Sequence, residues 1–112
     1  MIKDELILDL ITNLGLVAKS IKEKKKPALP LGKMLSIVKE ISNTHGLGIV
    51  KTEFNDHSAD YSVLMVGTVS SLINCIRFSC EVEVNTYCNL LVSNIRNTAI
   101  YYGCESDVIS SS

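Results

Sequence analysis

Residues 73–84 read Ile-Asn-Cys-Ile-Arg-Phe-Ser-Cys-Glu-Val-Glu-Val. Within them Ile76, Phe78, Cys80, Val82 and Val84 alternate with Arg77, Ser79, Glu81 and Glu83. A period of two sends successive side chains to opposite faces, so the pattern predicts a β-strand with one buried and one wet face. Leu72, Ile73 and Ile76 fit a helical turn equally well, which leaves the start of the strand open. The reading of this stretch decides the fold class, because the segments at both ends of the chain have helical patterns.

Working back from residue 73, Gly67 to Ser71 has turn composition and Tyr61 to Val66 reads as a second strand. Asn55-Asp56-His57-Ser58-Ala59-Asp60 is a turn, and residues 48–54, rich in Ile, Val, Thr and Phe, read as a third strand. Working forward, Cys88, Leu91, Val92, Ile95, Ala99 and Tyr102 recur at helical spacing, with Asn85 to cap the start and Gly103 to end it. Thr98, Ile100, Tyr101 and Tyr102 favour extended structure, so a hairpin over 86–102 is the alternative. Residues 105–112 are polar and read as a tail of the domain.

The N-terminal part is helical by pattern. Over residues 3–25, Ile7, Ile11, Leu14, Ala18 and Ile21 form a stripe that Leu6, Leu10 and Val17 widen. Gly15 is a weak point inside it. Residues 24–30, with Pro27 and Pro30, read as a linker. Residues 31–44 form a second helix with Leu31, Met34, Leu35, Val38 and Ile41 on one face, and Gly46 and Leu47 suit its C-terminal cap. The expected fold is therefore α+β. A single small domain over 1–104 has the order ααβββα, and helices cover a three-stranded antiparallel meander.

Composition narrows the function. The chain has 112 residues, 46% of them hydrophobic, and a formal charge of −1, which argues against a generally basic nucleic-acid binder. Mean hydropathy is +0.25, high for a small soluble monomer. Residues 1–40 hold eight basic and five acidic side chains, and residues 41–112 hold three and seven, so the two parts carry opposite charge. No run of 18 apolar residues suggests a membrane span, and Asp4, Glu5 and Asp9 interrupt the region where an export signal would lie. A cytoplasmic protein with reduced thiols is the expectation.

Candidate chemistry is sparse. Gly46-Leu47-Gly48-Ile49-Val50-Lys51-Thr52 lacks the glycine before lysine that a phosphate loop needs. Cys75, Cys80, Cys88 and Cys104 include no Cys-x-x-Cys pair, and read as small buried hydrophobes. Asp56, His57 and Asp60 are the densest set of possible metal ligands or acid/base groups, and such residues also suit a solvated turn. Lys19, Lys22, Lys24, Lys25 and Lys26 offer a basic segment for phosphate backbone, but they also stabilise a helix C-terminus without any ligand. Leu8 and Leu16 lie off the stripe of the first helix, which would give that helix two apolar sides.

No catalytic residue, resident metal or cofactor is expected. The leading reading is a small non-enzymatic binding protein, an adaptor or an inhibitor that occludes a partner's surface. Its contact residues would be Leu8, Leu16 and the five lysines, and its partner another protein or a second copy. The alternatives are a nucleic-acid-associated protein using Lys19 to Lys26, and a metal-dependent enzyme centred on Asp56 and His57.

Overall fold

A computed structural model describes residues 4–44 and 60–111. They form five helices: α1 (Asp4–Lys22), α2 (Ala28–Thr44), α3 (Ser62–Arg77), α4 (Glu81–Tyr101) and α5 (Glu105–Ser111). Among the described residues there is no strand, so the α+β expectation, its ααβββα order and its meander are overturned. Tyr61 to Val66 and the supposed turn over Gly67 to Ser71 belong to α3 and the residue before it. The stretch over 73–84 is split between the end of α3, a short turn and the start of α4. The helix read over 86–102 is present, starts earlier, and displaces the hairpin alternative. The strand over 48–54, the turn over 55–59 and the cap at Gly46 and Leu47 lie outside the described residues.

Why residues 62–77 coil rather than extend follows from which side chains find cover. Met65, Val69 and Leu72 are buried, and Ile76 packs against them, at spacings of 4-3-4. Val, Thr and Ile are poorer helix formers than Ala by at most about 0.7 kcal/mol each, and burial of a continuous stripe outweighs that. Asp60 marks the start: the Ser62 N–H donates to its Oδ1 at 2.9 Å. The alternation over 76–84 is a coincidence of side chains on two helices. Phe78 and Val82 are 75% and 77% exposed, whereas Val84 is buried.

The turn that hides inside that alternation has defined geometry. Ser79 takes the left-handed conformation at φ +56°. The Ser79 N–H donates to the Ile76 carbonyl and the Cys80 N–H to the Cys75 carbonyl, closing α3 with a Schellman motif. The same pair of bonds closes α1 around Lys24 (φ +57°) and α4 around Gly103 (φ +69°). Only the last of the three uses the residue that sequence reading looks for. Elsewhere the first turn of α2 takes up Ala28, Leu29 and Pro30 of the expected linker. Pro27 accepts from the Leu31 N–H, so Pro30 sits where a missing N–H costs nothing.

Four helices form the body. Leu64, Gly67, Thr68 and Ser71 of α3 face Tyr87, Leu90 and Asn94 of α4, and Asp9 and Asn13 of α1 face Lys33, Ser36 and Ile37 of α2. Both pairs are antiparallel hairpins. α1 also packs on α3 and α2 on α4, while the diagonals do not meet. The result is a four-helix bundle with cyclic order α1, α2, α4, α3. The core holds Leu31, Met34, Leu35, Val38 and Ile41 of α2, all five as the sequence pattern implies. The observed core face of α1 is Leu10, Asn13 and Val17, rotated from the predicted stripe. Residues 105–111, read as a tail, form α5 against α2 and α4, with Val108 buried.

Candidate functional site: a groove between α1 and α3

The four seams of the bundle differ in how they are filled. Along α3 and α4 the interior holds Met65, Val69, Leu72, Val84, Cys88, Leu91 and Ile95. A buried bond crosses it: Asn94 Nδ2 donates to Thr68 Oγ1 at 2.9 Å, and Thr68 Oγ1 donates on to the Leu64 carbonyl at 2.9 Å. The seam between α1 and α3 is the least extensive of the four. Outside its contact line lies an apolar groove of about 700 Å³. Ile11, Leu14, Gly15, Val17, Ala18 and Ile21 form one wall, and Ser62, Val63, Val66 and Gly67 the other. A second hollow continues it past Ile11 toward Ile7, Leu8, Ile73, Ile76 and Arg77.

The groove is open because its walls are built partly of small residues. Gly15, Ala18 and Gly67 have little or no side chain to reach across. A Cβ built on Gly15 or Gly67 would meet nothing within 4 Å. Neither glycine has a positive φ, so no backbone requirement explains them. Large apolar residues beside them are left in water: Val63 is 80% exposed, Leu8 63%, Val66 54% and Ile11 47%.

The residues singled out from the sequence are dispersed. Leu8 and Leu16 are both exposed, at 63% and 43%. Leu8 lies beside the groove. Leu16 sits about 80° further round the axis, at about 100° per residue, on the side away from α3. Lys19, Lys22, Lys24, Lys25 and Lys26 are all exposed around the end of α1, and Lys25 Nζ lies 3.4 Å from Glu23. Asp56 and His57 lie outside the described residues. Asp60 has both carboxylate oxygens engaged, Oδ1 by Ser62 and Oδ2 by the Tyr102 hydroxyl at 2.6 Å. Partial burial pushes its carboxyl up, but the bonds from Tyr102 and Ser62 outweigh that and hold it below the usual value. Burial, with the neighbouring Asp60, pushes the Tyr102 phenol up to about 12.

Three of the four thiols pack in or against the core, whereas Cys80 does not, and Cys75 and Cys80 are only partly buried, against the expectation that all four are buried. All four are free, and Cys88 and Cys104 are buried. Burial pushes Cys88 up to about 11 and raises Cys75 and Cys104 as well, so these three are less nucleophilic than an ordinary cysteine. Among the described residues no three His, Cys, Asp or Glu side chains converge on a possible metal position, and no helix is long and apolar enough to cross a membrane.

Sequence reading missed the α3 wall and misplaced Ile11. Reading 61–66 as a strand scattered Val63 and Val66 over its faces, and reading 67–71 as a turn removed Gly67 from any face. The available signal was the helical spacing of Met65, Val69, Leu72 and Ile76, which leaves Val63, Val66 and Gly67 on another side of the same helix. Compared with protein-family models, curated proteins and solved structures, the chain matches none.

Proposed function

We propose that this chain is a non-enzymatic binding protein of the cytoplasm that works by protein–protein contact, as an adaptor or as an inhibitor that covers a partner's surface. The observation that carries the reading is the apolar groove between α1 and α3, with Ile11, Val63 and Val66 exposed along it. Exposed apolar surface of this kind on a small domain is characteristic of an interaction site. A small-molecule pocket of similar size normally has several placed polar groups among its apolar walls. Among the described residues, Ser62 is the one polar side chain lining the groove.

A photo-crosslinking residue at Ile11, with another at Ser106 on α5 as control, tests the reading in cell extract. We expect a discrete protein adduct at position 11, none at 106, and competition by unlabelled chain but not by its Ile11→Glu variant. Adducts that nuclease removes and salt abolishes would replace this reading with nucleic-acid binding through Lys19 to Lys26. Equal labelling at both positions would also overturn it.

A further inference from the structure

The outward face of α1 carries Asp4, Leu8, Ile11, Gly15, Ala18 and Lys22 at spacings of 4-3-4-3-4, and all six are exposed. The series is complementary to its own reverse. Laid antiparallel on itself, it sets Asp4 against Lys22, Leu8 against Ala18 and Ile11 against Gly15. Every contact pairs opposite charges or a large side chain with a small one. From these pairings we infer that the groove is the docking site for α1 of a second copy of this chain, in a two-fold symmetric dimer. The inference rests on the protein-contact reading above and names its partner.

The groove has the shape this arrangement requires. It lies along the C-terminal half of α1, where Gly15, Ala18 and Ile21 face Val63, Val66 and Gly67. An antiparallel copy brings the N-terminal half of its own α1 over that half. Its Leu8 and Ile11 then enter the space that the two glycines leave empty. The two-fold repeats the contact, so two plugs fill two sockets and the interface closes. The glycines thereby gain the reason that the single chain does not supply. A Gly in an exposed helix interior destabilises the helix relative to Ala, and close approach by a second helix is what the missing Cβ permits.

Charge selects the orientation. Asp4, Glu5 and Asp9 stand at the start of α1, and Lys19 and Lys22 at its end. A parallel pair would set carboxylates against carboxylates, ammonium groups against ammonium groups, and Leu8 against Leu8. The antiparallel pair reverses each of these, and the surface charge contributes orientation more than affinity.

Sedimentation velocity of the full chain, from low to several hundred micromolar, tests the inference. We expect a reversible dimer that Ile11→Glu weakens by about tenfold or more. Asp4→Lys and Lys22→Glu should each weaken it, and the double variant Asp4→Lys with Lys22→Glu should restore it. Circular dichroism of each variant confirms that the helices persist, since all three positions are exposed. A chain that stays monomeric throughout overturns the inference, as does a dimer indifferent to these changes. Hydroxyl-radical footprinting of a monomeric chain then separates the two readings. Reactive Leu8, Ile11 and Val66 leave protein contact standing with a different partner. Protection of those residues in the monomer means that the chain covers its own groove, and both readings fall.

Discussion

The seam between α3 and α4 and the seam between α1 and α3 share a helix and differ in almost everything else. The first buries Met65, Val69 and Leu72 with Val84, Cys88, Leu91 and Ile95 in its interior, carries the buried bond from Asn94 to Thr68, and is joined by a three-residue turn. The second meets Gly15 and Ala18 with Gly67, and leaves Val63, Val66 and Ile11 in water. α3 presents Met65, Val69 and Leu72 to the interior and Val63, Val66 and Gly67 to the groove. Both faces are apolar, so hydrophobicity alone does not separate core from interaction surface. What differs is the cover: Met65, Val69 and Leu72 are enclosed by the core, whereas Val63 and Val66 stand beside Gly15 and Ala18 and stay exposed. On the proposed reading, that opening is what a partner fills.

That contrast is open to attack by mutation, most strongly at the closed seam. Leu72→Ala or Leu91→Ala removes a fully buried side chain, and we expect about 2–5 kcal/mol of lost stability in urea unfolding. Val63→Ala on the open seam should cost well under 1 kcal/mol. Equal losses at the two sites would erase the distinction. Asn94→Ala comes next. It removes a buried hydrogen bond and some packing, for an expected loss of about 1–3 kcal/mol.

The glycines sharpen the comparison because the predicted sign reverses. Gly67→Ala adds a Cβ that meets nothing within 4 Å on a helix interior, so it should stabilise the isolated chain by about 0.5–1 kcal/mol. Destabilisation would show that the seam is closed. The smallest effect concerns the tie between Tyr102 and Asp60 at one end of α3 and α4. The Tyr102 pKa is raised from 10.0 to about 12, so the unfolded chain ionises first. The stabilisation is whole below about pH 10 and is lost as pH rises toward 12. The Asp60 carboxyl is held below its ordinary value of 3.8, so its share is whole above that value and is lost in more acid solution. Tyr102→Phe should flatten both limbs of the pH profile and leave the middle nearly unchanged.

Three of the five helices, α1, α2 and α4, were legible from the residues, but the all-helical class was not. α2 could be read from its core side because Leu31, Met34, Leu35, Val38 and Ile41 follow one period without interruption, although Ile37 joins the same core and was not read there. α4 could be read because Gly103 marks its end. α3 could not, for two physical reasons. Its Val, Ile and Thr residues favour strands locally, and only the packing of Met65 to Ile76 overrides that preference. Its end is a left-handed Ser79 rather than a glycine, so the break between helices was invisible and an accidental alternation ran across it. The same error hid the site. Leu8 was visible as an apolar residue out of place, but its socket needs α3 to be a helix. Ile11, a stripe residue by spacing, is groove wall because the core face of α1 centres on Leu10 and Val17 instead.

The most direct measurement is methyl NMR of the full chain with a soluble paramagnetic agent, repeated as the protein concentration is raised. In dilute solution the methyls of Leu8, Ile11, Val63 and Val66 should be broadened while those of Leu72 and Leu91 stay sharp. As concentration rises, the groove methyls should become protected and the core methyls should not change. Groove methyls that are sharp at every concentration would contradict the open seam and, with it, the assignment of the groove to a partner.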